Sequence, residues 1–154
     1  MASRSRAAAP GSFSIYGKGA ADLARTNPCT PEIRQGRLRK AVEFLDAATL
    51  IAGPADEEVT PTDAFVTLCI QAGIAASDVI CCARLGKHAQ GQDHSEAVSL
   101  LSQANSDSAR HLRVLLGMKT KVAYGHTGIS TADARRAGRA ADALVETARR
   151  VNVI

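Results

Sequence analysis

The sequence predicts an all-α fold, an up-and-down bundle of about five helices whose short links favour antiparallel neighbours. Three observations carry this prediction. The run AFVTLCIQAGIAASDVICC, from Ala64 to Cys82, is apolar almost all the way round a helix. Such a segment belongs inside a bundle or inside a membrane. The chain has no Trp, three Phe and two Tyr, so its core is built from Leu, Ile, Val and much Ala. Ala-rich packing suits helices and lets them approach closely. Thirdly, capping residues recur just ahead of successive apolar-periodic segments.

Residues 1–29 contain Pro10, Gly11, Gly17, Gly19 and Pro28 and read as a flexible basic arm with a turn of helix at Ala20–Arg25. Arg4 and Arg6 are not followed by an apolar stretch, so no secretory signal is expected. Phe13, Ile15 and Tyr16 are available to pin the arm to the body.

The bundle domain spans residues 30–154. Its first helix starts at Thr30-Pro31, with Thr as N-cap, Pro in the first turn and Glu32 at the positive end of the dipole. Leu38, Val42, Leu45 and Thr49 form one seam, with Arg34, Arg37, Arg39 and Lys40 mostly off it. Gly53-Pro54 ends this helix, because Pro cannot continue it. The central helix opens at Thr60-Pro61 and runs to about Leu85, stopping at Gly86. Its length alone would permit a membrane span of about 20 residues. Gln71 and Asp78 argue for a bundle core instead, since both are costly in lipid. With Thr67 they fall on one line, a narrow polar stripe.

The segment KHAQGQD, Lys87–Asp93, reads as a loop. Asp93 then caps a shorter helix, with Glu96 in the capping-box position. Ser106 or Asp107 begins the next helix, which carries Leu112, Leu115, Leu116 and Val122 on its apolar side and ends at Gly125. Ser130 caps the last helix, where Ala137, Ala141, Leu144, Ala148 and Val151 form a packing seam.

The four cysteines, Cys29, Cys69, Cys81 and Cys82, include no C-x-x-C pair, so neither a metal nor any other cofactor is expected. They read as reduced, buried thiols of a cytoplasmic protein. The net charge of +4 permits acidic partners without requiring them. Arg110, Arg113, Lys119 and Lys121 form a basic cluster suited to phosphates, RNA or an acidic protein surface. Asp78, a charge on an apolar helix, needs a counter-ion. Lys119 or Arg113 is the natural candidate, giving a polar pocket of Gln71, Asp78, Lys119 and Tyr124; a merely structural ion pair is the plainer alternative. His88 and His94 flank the loop after the central helix without metal-ligand spacing.

The segment Lys119–Gly125, KTKVAYG, together with Ile129–Ala134, ISTADA, resembles the HEPN superfamily of small helical bundles. The likeness runs over about Asp63 to Val151. It implies a HEPN-like bundle, a homodimer, and membership of toxin–antitoxin pairs, RNases or nucleotide-binding partners. Lys119 stands where the family's catalytic Arg is expected, and Tyr124 where its His is expected. Lys lacks the bidentate fork of Arg, and Tyr transfers protons poorly at neutral pH. The resemblance therefore implies a non-catalytic binding protein, the antitoxin or regulatory partner of a toxin-like enzyme, with Gln71, Asp78, Arg113, Lys119, Lys121 and Tyr124 meeting a protein partner, RNA or nucleotide. The alternatives are a metal-independent RNase using a displaced His126 or His111, and a small-nucleotide-binding bundle. No membrane association is expected.

Overall fold

The computed structural model describes residues 25–54, 61–91 and 93–153. The expected turn of helix at Ala20–Arg25 and the aromatic pins Phe13 and Tyr16 lie almost wholly outside them. In chain order the elements are β1 (Thr26–Pro28), α1 (Pro31–Ala52), α2 (Thr62–Leu85), β2 (Lys87–Ala89), α3 (His94–Ala104), α4 (Ser106–Gly117), α5 (Lys119–Tyr124) and α6 (Thr131–Asn152). The protein is an all-α bundle with one small antiparallel ribbon, β1 with β2.

Local chemistry accounts for the starts of α1, α3, α4 and α6. The Thr30 hydroxyl accepts from the Ile33 N–H at 3.2 Å, and the Asp93 carboxylate from the Glu96 N–H at 3.1 Å. The Asn105 side chain accepts from the Ser108 N–H at 2.9 Å, and the Ser130 hydroxyl from the Asp133 N–H at 3.1 Å. Each satisfies an amide that the helix itself leaves unpaired. At its other end α2 closes on Gly86, whose left-handed φ of 73° favours glycine.

The organising element is α2, which touches every other helix. Val66, Cys69, Ala72, Ala75, Ala76, Val79 and Ile80 are all essentially inaccessible. By length and composition α2 is able to cross a membrane, but 67% of its most apolar stretch is buried within the bundle. Against it lies α6, whose Ala134, Ala137, Ala141, Leu144 and Ala148 bury the seam expected from the sequence. Close approach rests on small residues. A Cβ at Gly73 would run into Leu115 Cδ1 and come within 3.2 Å of Leu144 Cδ1, and one at Gly138 would sit 3.1 Å from Phe65 Cζ.

Three sequence expectations are corrected. First, the end of the N-terminal arm is ordered: Thr26–Pro28 pairs with Lys87–Ala89, in a stretch expected to be loop. Three residues are too few to show alternation, and a local pattern does not reveal a partner sixty positions away. Secondly, Cys29 and Cys82 form a disulfide with Cα atoms 5.5 Å apart. Only Cys69 and Cys81 are free, buried thiols; burial pushes each up to about 12, which keeps them protonated and unreactive. Thirdly, the expected fourth helix is broken at Met118 into α4 and α5. Gly117 weakens the helix there, and the Met118 side chain turns into the core, 8% exposed.

Two predictions follow from this packing. Gly73→Ala lowers unfolding free energy by about 1–3 kcal/mol, the usual cost of overpacking, in urea titrations; unchanged stability would mean that Leu115 and Leu144 swing aside freely. The disulfide closes a separation of 53 residues. Cys29→Ser, which opens it at its more exposed end, costs roughly 2–4 kcal/mol in the same titration, and a reducing agent then has no further effect on the variant.

Candidate functional site

Polar side chains from five elements converge on one cavity of about 420 Å³. Arg37 comes from α1, Gln71 and Asp78 from α2, His88 from β2, His94 from α3 and Lys119 from α5. Ile74, Ala97, Leu112 and Leu116 supply an apolar wall. The volume falls in the range of small-molecule sites.

Asp78 lies at the centre. Arg37 donates its Nε–H to Asp78 Oδ2 at 2.8 Å, and His88 Nδ1 lies 4.0 Å from Asp78 Oδ1. The Asp78 side chain is 14% exposed and that of Arg37 29%. Burial pushes the Asp78 carboxyl above its ordinary value, and the opposing pull of Arg37 and His88 does not fully offset it. The carboxylate is thus held at a cost to the fold. His88 Nδ1 also lies 3.0 Å from the Ala89 carbonyl, to which it donates, and among the described residues Nε2 makes no hydrogen bond.

The ribbon builds this wall. Asn27 faces His88 in the ladder, the Cys29 N–H donates to the Gly86 carbonyl at 3.0 Å, and the Gln90 N–H donates to the Arg25 carbonyl at 2.9 Å. The Cys29–Cys82 bridge adds a covalent tie one residue beyond β1. His88 is therefore fixed from both flanks.

Of the residues expected at a site, Gln71, Asp78 and Lys119 come together here. The others do not. Asp78 pairs with Arg37, and neither Lys119 nor Arg113 makes an ion pair among the described residues. Tyr124, at the end of α5, is 86% exposed and outside the cavity. Arg113 and Lys121 line a separate groove with Arg110, Arg136 and Asp133. There Arg110 is paired with Asp107 and Arg136 with Asp133, which tempers the positive field expected of the basic cluster. His111 lies in a third depression, between α4 and α6, with Arg84, Glu146 and Arg150. His126 is exposed in the turn before α6. Neither histidine expected as a displaced base lines the cavity that Lys119 lines.

Sequence reasoning missed Arg37, His88 and His94. The need of Asp78 for a counter-ion was legible; its supplier on α1 was not, because Arg37 sits among charges that face solvent. Among the described residues no group of three His, Cys, Asp or Glu side chains is placed to hold a metal ion.

The Asp78 environment sets a pH signature. Its folded-state pKa is raised, so between the ordinary value of 3.8 and that raised value the folded chain binds more protons than the unfolded one. Stability from this group therefore rises as pH falls through the window, and the penalty is complete above it. In urea titrations wild type gains stability relative to Asp78→Asn as pH drops from neutral, and the gain ends below about 3.8. A difference that stays flat with pH would place the ionised carboxylate in solvent.

No family model, curated protein or solved structure matches this chain.

Proposed function

We propose that the chain works by binding: a non-catalytic, HEPN-like bundle that serves as the antitoxin or regulatory partner of a toxin-like enzyme. The resemblance at Lys119–Gly125 and Ile129–Ala134 supplies the class. The observation that carries the binding reading is the placement of Lys119 and Tyr124. In the resemblance they occupy the positions of the RNase Arg and His. In this fold Lys119 lines the cavity while Tyr124 is 86% exposed elsewhere. The groups that do converge with Lys119 are hydrogen-bonding and charged side chains around a ligand-sized space. The groove of Arg113 and Lys121 offers an acidic partner or RNA a second contact surface. Homodimerisation belongs to the same reading. The Cys29–Cys82 bridge, of a kind that persists in oxidising compartments, speaks against the cytoplasmic setting expected from the sequence.

One observation favours a second reading. His88 lies near Asp78 in the cavity that Lys119 also lines. An imidazole held by the Ala89 carbonyl, with a carboxylate 4.0 Å away and a lysine lining the same space, is an acid–base arrangement that could serve RNA cleavage. In that case His88, rather than His111 or His126, moves the proton.

The two readings separate in one experiment. The purified chain is incubated with RNA in the presence of a chelator, and mixed with the products of its neighbouring genes, each in turn, for light scattering on a sizing column. The binding reading expects no turnover and a stoichiometric complex. Turnover abolished by His88→Ala but kept by His111→Ala and His126→Ala replaces it with the RNase reading.

A further inference from the structure

The cavity at Asp78 is lined by more cationic and imidazole groups, Arg37, Lys119, His88 and His94, than carboxylates, Asp78 and Asp93. Asp78 Oδ2 accepts from Arg37, and Asp93 Oδ1 is spent on the N-cap of α3. Arg37 uses only its Nε in that pair, so both terminal nitrogens remain for a ligand. Lys119 makes no ion pair among the described residues. His88 Nε2 makes no hydrogen bond among the described residues, and His94 adds a second imidazole at the start of α3.

These donors belong to four separate elements, α1, β2, α3 and α5, and so reach the space from different sides. A planar carboxylate is met by one fork of donors. An oxyanion with three terminal oxygens accepts from several directions at once and makes use of such a ring. Asp78 has a role here that needs no contact with the ligand: bound to Nε, it orients the Arg37 guanidinium. That accounts for a carboxylate kept where burial disfavours its charge. The cavity is also far larger than an inorganic anion requires, and one side of it is apolar, built from Ile74, Leu112 and Leu116.

We propose that this cavity is a phosphomonoester site, in which Arg37, Lys119, His88 and His94 receive the phosphate and the Ile74–Leu112–Leu116 wall receives the organic group attached to it. The proposal rests on the binding reading above, since it puts a retained ligand and not a scissile strand in the cavity.

Calorimetric titration of the full chain tests it, with inorganic phosphate, ribose 5-phosphate and a nucleoside 5′-monophosphate, and with ribose and the same nucleoside lacking phosphate. The esters bind at least about tenfold more tightly than their phosphate-free parents, as loss of a charge-assisted contact implies. They also bind more tightly than inorganic phosphate. Lys119→Gln weakens ester binding by about tenfold without changing the melting temperature. Arg37→Gln does the same. Should that variant fail to fold because Asp78 is left unpaired, Arg37→Gln combined with Asp78→Asn takes its place. Arg135→Gln, exposed on α6, which does not line the cavity, leaves the affinity unaltered. Equal affinity for nucleoside and nucleoside monophosphate overturns the proposal, as does the absence of binding by every probe, or an equal loss in Arg135→Gln. Inorganic phosphate binding as tightly as both esters overturns the seat for the organic group. RNA turnover dependent on His88 defeats the binding reading itself, whereas phosphate-blind titrations without turnover defeat only this inference.

Discussion

The rest of this fold depends on enclosing α2. A helix that is apolar on nearly every side has no face to give to water, so neighbours must cover its whole circumference. Only small residues allow that many helices to come so near. Ala72, Gly73, Ala75 and Ala76 are buried on α2, α6 packs on that helix with a seam of alanines, and Leu115 and Leu144 close over Gly73. An Ala-rich interface buries little area per residue, so its strength lies in contact density, and a single added methyl is felt. The same requirement explains why α1 is half-buried along one side and why α4 and α6 pack on each other as well as on α2.

Asp78 is the exception that this enclosure creates. Near the C-terminal end of α2 the covering thins to a ribbon, a short helix and the start of α5, and the carboxylate faces the gap between them. Arg37 crosses from α1 to meet it, forty-one positions away in the chain. An apolar residue in place of Asp78 would serve packing better, because burying one charge against one partner seldom repays the desolvation of both. A carboxylate that costs stability and orders an arginine beside a cavity is the pattern of a site, where strain and shifted titration gather.

Much of the helical frame was legible in the sequence. The caps at Thr30, Asp93 and Ser130 work through local hydrogen bonds, and local signals survive in any fold. The seam from Ala137 to Val151 is visible because a helix repeats its face within a few residues. What escaped reading is non-local. Cys29 and Cys82 are joined across 53 positions, and nothing in their immediate neighbours marks them as a pair. The ribbon has three residues a side, below the length at which period-two alternation is distinguishable. For the site, Gln71, Asp78 and Lys119 line one cavity as grouped from the sequence, but Arg37 and not Lys119 pairs with Asp78. Tyr124 was misplaced because the expected continuous helix is interrupted at Met118, which changes the bearing of every later residue.

That interruption and the disulfide act on the same cavity from opposite sides. The site gathers where regular structure stops: the end of α2, the start of α3, the break between α4 and α5. Such places hold the polar groups that helix interiors cannot. They are also the least constrained parts of a bundle, and a recognition site needs its groups held still. The covalent tie answers this on the ribbon side, since it fixes the end of β1, the strand that pairs with the one carrying His88, to the helix that carries Asp78. On the other side the buried Met118 anchors the first turn of α5 and with it Lys119. Anchoring by a disulfide and a core methionine, at the two points where helical continuity fails, is what allows charges from five elements to share one cavity without a dedicated scaffold beneath them.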